Sequence, residues 1–366
     1  MPSLKRLDWS AFLARPPLPS PSPEVFDALY RQSILITGAG GSIGSALALR
    51  LAALSPSMLV LLEASESHLY AFQREWDEAG AATPTASYLG SVADRSLLDH
   101  IFAEHSPRLV FHAAAFKHVP LMEQQPLAAI ANNVFGTHTL VTAAAAHDAR
   151  VVLLSTDKAV EPVSVMGATK RIAEHIVQAA GGTVLRLGNV LASRDSVAEV
   201  FACQIAAGGP LTVTDPAARR YFLTLDEAVN LLLIAAAEPD PPVLLTPALP
   251  VPHYIADLAQ FMARQLSPDR TIPVDFTRSR PGDKETEQLW SSAESALPAN
   301  LGGLLSVHSP RLADGRLQSE LALLRAALDA RDLPAALARL CALVPDYAPS
   351  SSVLALAGQS DPRVSL

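Results

Sequence analysis

The chain has 366 residues, 49% of them hydrophobic, and a formal net charge of −8 at pH 7. That is ample apolar material for a two-lobed unit or two domains. The acidic balance excludes a nucleic-acid binder, because no basic stripe is available to neutralise a phosphate backbone; Arg219-Arg220 and Arg278 to Arg280 are long enough only for a small anion.

At the N-terminus, Lys5 and Arg6 are followed by Asp8 and proline-rich sequence, not by the apolar run of a signal peptide. Residues 1–30 read as an extended arm with little regular structure. From Ser33 a strand–helix rhythm begins, with apolar runs at Ile34–Thr37, Met58–Leu62, Ala86–Leu89, Leu109–Phe111, Val151–Leu154 and Val184–Leu187. Continuous apolar strands alternating with helices predict an α/β fold: a doubly wound parallel sheet, covered on both faces, with ligands at the carboxyl ends of the strands. Residues 31–190 form this dinucleotide-binding domain, and 225–250 return to it. Short strands at Leu211–Thr214, Tyr221–Thr224, Val243–Thr246 and Ile272–Asp275 mark a second rhythm. Residues 191–224 and 251–348 are assigned to a smaller substrate-binding lobe, with a helical pair over 316–344 broken near Asp332-Leu333-Pro334. Residues 349–366 read as a mobile tail. The longest apolar helix candidate, Ala228 to Ala237, is far short of the ~20 residues that span a bilayer. Cys203 and Cys341 show neither metal nor disulfide spacing. They fit a reducing cytoplasm, and no metal is expected.

Thr37-Gly38-Ala39-Gly40-Gly41-Ser42-Ile43-Gly44 follows the first strand and opens a helix from Ser45 to Leu54. Glycines 38, 41 and 44 allow a tight turn, approach of a pyrophosphate to the backbone, and close packing of helix on strand; Ser42 and Ile43 lie at the helix start. Glu63 ends the second strand about 20 residues on, where a carboxylate accepts bonds from ribose hydroxyls and repels a 2′-phosphate, which favours NAD over NADP. His112-Ala113-Ala114-Ala115 ends the fourth strand with small residues beside the same pocket. Asn132 or Asn133 is expected to bond a backbone group near the catalytic strand.

Ser155-Thr156-Asp157-Lys158-Ala159 and Met166-Gly167-Ala168-Thr169-Lys170 place a hydroxyl, a carboxyl and two amines at the end of the fifth strand and the start of the next helix. Such groups suit proton transfer around a substrate activated by a redox cofactor. For Asp157 to act as an acid its pKa must rise, and for Lys158 to act as a base its pKa must fall. Burial drives both changes and their mutual attraction opposes both.

With these residues the chain resembles the UDP-N-acetylglucosamine 4,6-dehydratases, extended short-chain dehydrogenases of polysaccharide and glycan biosynthesis. The likeness continues through Arg186-Leu-Gly-Asn-Val-Leu-Ala-Ser-Arg, Gly209-Pro-Leu-Thr-Val-Thr, Arg220-Tyr-Phe and Arg280-Pro-Gly-Asp-Lys, and covers about residues 10–348. The resemblance implies an enzyme that uses NAD to oxidise sugar C4, removes the C5 proton, expels the C6 hydroxyl and returns the hydride to C6. It implies Asp157 as acid, Lys158 as base, Thr156 at the C4 oxygen, and Lys170 on the nicotinamide ribose. It also implies Lys117, His118, Asn189, Arg220 and Arg280 around a UDP-sugar, and a homo-oligomer. Met166 is the departure, since relatives often carry a tyrosine there and a thioether cannot relay the C4 proton. Asp195 for glycine, Arg278-Ser279, and Asp283 for glutamate are further departures. Alternatives are an epimerase or 5,6-dehydratase working through the same 4-keto intermediate, or a non-catalytic nucleotide-binding relative.

Overall fold

The structure is a computed structural model and describes residue 4 and residues 7–237, 243–299 and 302–359. Nine strands form the central sheet: β1 (Ser33–Thr37), β2 (Met58–Glu63), β3 (Thr85–Leu89), β4 (Leu109–His112), β5 (Arg150–Thr156), β6 (Thr183–Leu187), β7 (Val243–Pro247), β8 (Ser295–Pro298) and β9 (Leu304–His308). Their spatial order is β8-β9-β7-β6-β5-β4-β1-β2-β3. The seven strands from β3 across to β7 are parallel, while β9 runs antiparallel to β7 and pairs with β8 as a hairpin. The order reverses between β1 and β4, which opens a crevice at their carboxyl ends.

The interior strands β1, β2 and β4 to β6 are apolar on both faces because both faces are covered. Ile34 and Ile36 of β1 join a core with Leu47, Leu51 and Leu231–Leu233, under the helices Ser42–Ala52 and Leu225–Ala236. Leu35 points the other way, into a core with Ile101, Phe102, Leu140 and Ile172. On that face the helix Val165–Ala179 is buried at every position from Val165 to Gln178. Ser164 starts it by accepting a bond from the Gly167 amide at 3.1 Å.

A buried ion network locks this helix to the sheet. Arg186 of β6 is fully buried and forks onto Glu174 (2.9 and 2.8 Å) and Glu294 (2.8 and 3.0 Å). Arg171 reaches the same two carboxylates at 2.9 and 3.0 Å, and Ser155 donates to Glu174 at 2.6 Å. Burial alone would push both carboxyls up in pKa, but the two arginines outweigh it and hold Glu174 and Glu294 at about 2.

The smaller lobe has its own core around the helices Val197–Ala206 and Ile255–Leu266. Several expected boundaries differ from what is seen. The N-terminal arm contains two short helices, Trp9–Leu13 and Pro23–Leu29; Phe12 and Leu13 bury themselves in the smaller lobe, and Arg15 forks onto Glu227 at 2.6 and 2.9 Å. Within 251–348, read as substrate lobe, β8 and β9 extend the main sheet. The helices Asp314–Asp329 and Leu333–Leu343 contact Val165–Ala179. The first part of the expected tail is ordered: Ser351–Leu356 is a helix that buries Val353, and the Ala348 amide donates to the Pro162 carbonyl at 2.9 Å. Buried Glu123 accepts the Val165 amide at 2.7 Å and the Ser350 hydroxyl, so it joins this C-terminal segment to the start of the Val165 helix. Residues 360–366 lie outside the described residues. Among the described residues no helix is long and apolar enough to cross a membrane.

Two outcomes follow from the ion network. Arg186→Met leaves two carboxylates buried with one arginine between them and should cost about 3–5 kcal/mol in a urea titration. Because Glu174 and Glu294 have folded pKa values below the unfolded value of 4.5, their contribution is complete above about pH 4.5. It should be lost as pH falls toward about 2, read as a falling denaturation midpoint.

Candidate active site

The crevice at the ends of β1 and β4 is lined by the glycine-rich loop. Gly38 has φ +69°, and a Cβ there would sit 2.8 Å from the Ala114 amide, so the chain leaving β4 runs directly beside it. A Cβ on Gly44 would lie 2.1 Å from the Gly38 carbonyl oxygen, which shows how closely the helix packs on the turn. The helix starts at Ser42, not at Ser45 as expected. Its first bond runs from the Ser45 amide to the Gly41 carbonyl at 2.9 Å. The amides of Ser42, Ile43 and Gly44 therefore precede the ladder and face out of the helix end, with its partial positive charge. This geometry fits a dinucleotide pyrophosphate.

Glu63 is buried and turned into the loop: its oxygens accept the Gly40 and Ser65 amides, each at 2.9 Å. It braces the glycine turn, and each oxygen keeps a second lone pair for a ribose hydroxyl. His112 lies between Thr37 Oγ1 (2.7 Å) and Thr137 Oγ1 (2.9 Å); burial, with the nearby Lys170 charge, lowers its pKa to about 3 and keeps it neutral. Ala113 and Ala114 follow it against the glycine turn. Asn133, inside the wide-turn helical segment Ile130–Gly136, holds both the amide and carbonyl of Phe116 (2.8 and 3.0 Å) and Thr169 Oγ1 (3.1 Å). Asn132 donates to Asn133 at 3.0 Å.

At the end of β5, Thr156, Asp157 and Lys158 come together as the sequence implies. Asp157 is fully buried. Its Oδ1 accepts Thr156 Oγ1 and Lys158 Nζ, each at 3.0 Å, while Oδ2 has no hydrogen-bond partner. Burial raises its pKa against the pull of Lys158. Lys158 does not follow the expected fall. Burial draws its pKa down, but Asp157 and the carboxylate of Glu287, 3.7 Å away, outweigh burial, and the net shift is upward. Its ammonium also donates to Asn189 Oδ1 at 3.2 Å.

Glu287 was not singled out from the sequence. It is buried, 3.2 Å from Lys284 and 4.0 Å from Arg220; burial pushes its pKa up, and Lys158, Lys284 and Arg220 together hold it down. Its only sequence signal is its place seven residues after Arg280. Lys170 donates to the Leu154 carbonyl at 2.7 Å, and burial lowers its pKa to about 8. Met166, one turn earlier, is buried in the core that holds Val119, Met122 and Val165, and offers no proton acceptor.

The expected substrate contacts separate into two groups. Asn189 joins the centre through Lys158. Arg220 directs three of its five donors at the carbonyls of Arg219 (2.7 Å), Glu285 (3.0 Å) and Lys284 (2.9 Å), so it shapes the loop carrying Glu287. Arg280 is exposed and pairs with Asp283 at 3.0 Å. Lys117 donates to the Arg194 carbonyl at 2.6 Å, and His118 lies 3.8 Å from Asp195.

Residues 34–308 match the family described as polysaccharide biosynthesis protein. The chain belongs to that family. It is 38% identical over 292 residues to the probable polysaccharide biosynthesis protein EpsC of Bacillus subtilis (strain 168), covering 77% of this chain and 49% of that protein. The chain thus spans about half the length of that relative. It is 34% identical over 288 residues to a UDP-glucose 4-epimerase of Rickettsia canadensis (strain McKiel), covering 74% of this chain and 81% of that protein. A solved structure of a DesIV double mutant, a dTDP-glucose 4,6-dehydratase from Streptomyces venezuelae with NAD and DAU bound, superposes with TM-score 0.63. The match has 20% identity and covers 70% of this chain and 87% of that one. At that identity the likeness bears on the fold alone, the doubly wound architecture. The family match ends at His308, so the helices Asp314–Asp329 and Leu333–Leu343 lie beyond it.

Glu287→Gln removes one of two carboxylates that hold the Lys158 ammonium charged. The Lys158 pKa should fall, read as a lower pH midpoint for its labelling by an amine-reactive reagent in mass spectrometry.

Proposed function

We propose that the chain is an NAD-dependent nucleotide-sugar 4,6-dehydratase of polysaccharide biosynthesis, acting on UDP-N-acetylglucosamine or a close UDP-sugar. The observation that carries this reading is the fully buried Asp157, with Oδ1 tied to Thr156 and Lys158 and Oδ2 unpartnered. A carboxyl so placed is built to take a proton on one side and present it on the other.

The free amides of Ser42, Ile43 and Gly44, with Gly38 and Gly41, would hold the pyrophosphate, Glu63 the adenosine ribose, and Ala113, Ala114 and Lys170 the nicotinamide ribose. Bound NAD supplies a hydride acceptor and donor and ends the cycle unchanged. The chain's own residues handle two protons, each of them twice. As C4 is oxidised, Thr156 Oγ1 passes the hydroxyl proton to Asp157 Oδ1, the route its hydrogen bond already marks. This replaces the tyrosine absent at Met166. Neutral Lys158 removes the C5 proton. Asp157, now protonated, gives its proton to the C6 oxygen, which leaves as water, and Lys158 returns its proton to C5. The proton lost from O4 leaves on O6, and both side chains regain their starting states.

The 4-epimerase relative supports a second reading, in which the same 4-keto intermediate is reduced again at C4 without loss of water. The buried Asp157, placed to protonate a leaving hydroxyl, favours dehydration.

Incubation with UDP-N-acetylglucosamine, followed by mass and proton NMR, should show loss of water and a 4-keto, 6-methyl sugar. An unchanged mass with inverted C4 would favour the epimerase, and absence of any turnover would sink both for this substrate. Lys158→Ala should abolish C5 exchange in D₂O, and Thr156→Val should slow C4 oxidation by roughly 10²–10⁴-fold. Because the neutral amine is the base and its pKa is raised, kcat should climb with pH; in Glu287→Gln that rise should move to lower pH.

A further inference from the structure

Arg194 sits in the turn after Asn189, at the end of the motif that starts at Arg186, and nothing local in the sequence assigns it a role of its own. Its amide donates to Ser42 Oγ at 2.7 Å, and its guanidinium donates to the Gly40 carbonyl and lies 3.7 Å from Glu75. Its own carbonyl accepts Lys117 Nζ at 2.6 Å. One residue therefore joins the glycine-rich loop, the helix Glu66–Ala79 and the loop after β4. The turn is built to reach there: Ala192 and Asp195 flank it with φ of +57° and +56°, a conformation that non-glycine residues keep only where the surroundings impose it. Ser193 Oγ to the Val190 carbonyl (2.8 Å) and the Asp195 amide to Glu199 (2.7 Å) hold its two ends.

We infer that Arg194 is a clasp on the cofactor, closing the Ser193–Asp195 turn over the pyrophosphate-facing loop and slowing release of the dinucleotide. This rests on the NAD reading above. A guanidinium has five donors, of which Gly40 takes one, and the side chain is 30% exposed, so it can turn toward a phosphate without breaking the turn. It would be the nearest cation to a dianionic group otherwise met by backbone amides. The chemistry makes such a clasp useful: the hydride returns to the sugar in each cycle, so the cofactor has no reason to leave. The same turn carries the chain from Asn189, beside Lys158, to the cofactor loop, so the clasp also couples the sugar side to the nucleotide side.

The test uses the full chain and NAD alone, without any sugar nucleotide. NAD per chain is measured after desalting and denaturation, and its dissociation rate is followed by exchange against labelled NAD. Arg194→Gln should speed dissociation about 10- to 100-fold, the effect of losing one charged hydrogen bond, with Tm within a degree or two of the parent. Arg194→Lys, which keeps the charge and loses the fork, should fall between. Dissociation unchanged in Arg194→Gln overturns the clasp and leaves the dehydratase reading intact. Dissociation unchanged with a lowered Tm assigns Arg194 a purely structural role and also overturns it. Faster dissociation from a protein that converts no UDP-sugar sustains the clasp and sinks the dehydratase reading. NAD bound by neither protein overturns both.

Discussion

The Arg186–Glu174–Glu294–Arg171 network is the constraint on which the active-site geometry depends. Removing four charges from water is costly, and attraction repays it only when the hydrogen bonding is nearly complete. Here the charges cancel, and every carboxylate oxygen is met by a guanidinium. The network spans β6, the Val165 helix, the end of β5 through Ser155, and the segment leading into β8. Ser155 is next to Thr156, and Glu174 is one turn from Lys170. The same anchor therefore sets the depth of the strand end that carries Thr156 and the height of Lys170.

Around that anchor, the site keeps two charge systems apart. The network holds its carboxylates ionised by pairing them with arginines that cannot lose a proton. The cluster proposed as catalytic pairs carboxylates with lysines, whose protons can move. Asp157 is buried with an oxygen to spare, and Lys158 is held charged by two acids; the cluster is therefore poised for protonation change where the network is not. Arg220 keeps this arrangement in place by tying down the Lys284 and Glu285 carbonyls just before Glu287.

How much of this was legible in the sequence follows the range of the interactions. β1, β2 and β4 to β6 announce themselves because parallel strands buried on both faces are continuous apolar runs, and the glycine turn because its spacing serves local backbone geometry. Thr156, Asp157 and Lys158 are consecutive and needed no fold to bring them together. Glu287 was invisible because it lies 129 positions from Lys158 and nothing local distinguishes it from surface glutamates. The hold of Arg220 on the loop carrying Glu287 was hidden for a related reason: its partners are carbonyls, which carry no sequence signature. β8 and β9 escaped because an edge hairpin is buried unevenly, with Leu304 and Val307 covered and His308 exposed. The start of the helix at Ser42 was missed because glycine has poor helix propensity, and here close packing on the turn overrides it.

The carboxylate of Glu123 carries one more consequence. It bonds the amide that opens the Val165 helix and a hydroxyl that comes 227 residues later in the chain, at Ser350. During synthesis β1 to β6 and the glycine turn emerge first. The entrance to the helix bearing Met166 and Lys170 cannot be completed until Ser350 has left the ribosome. The glycine turn can thus take shape on a nascent chain well before the start of the Val165 helix has all its hydrogen bonds.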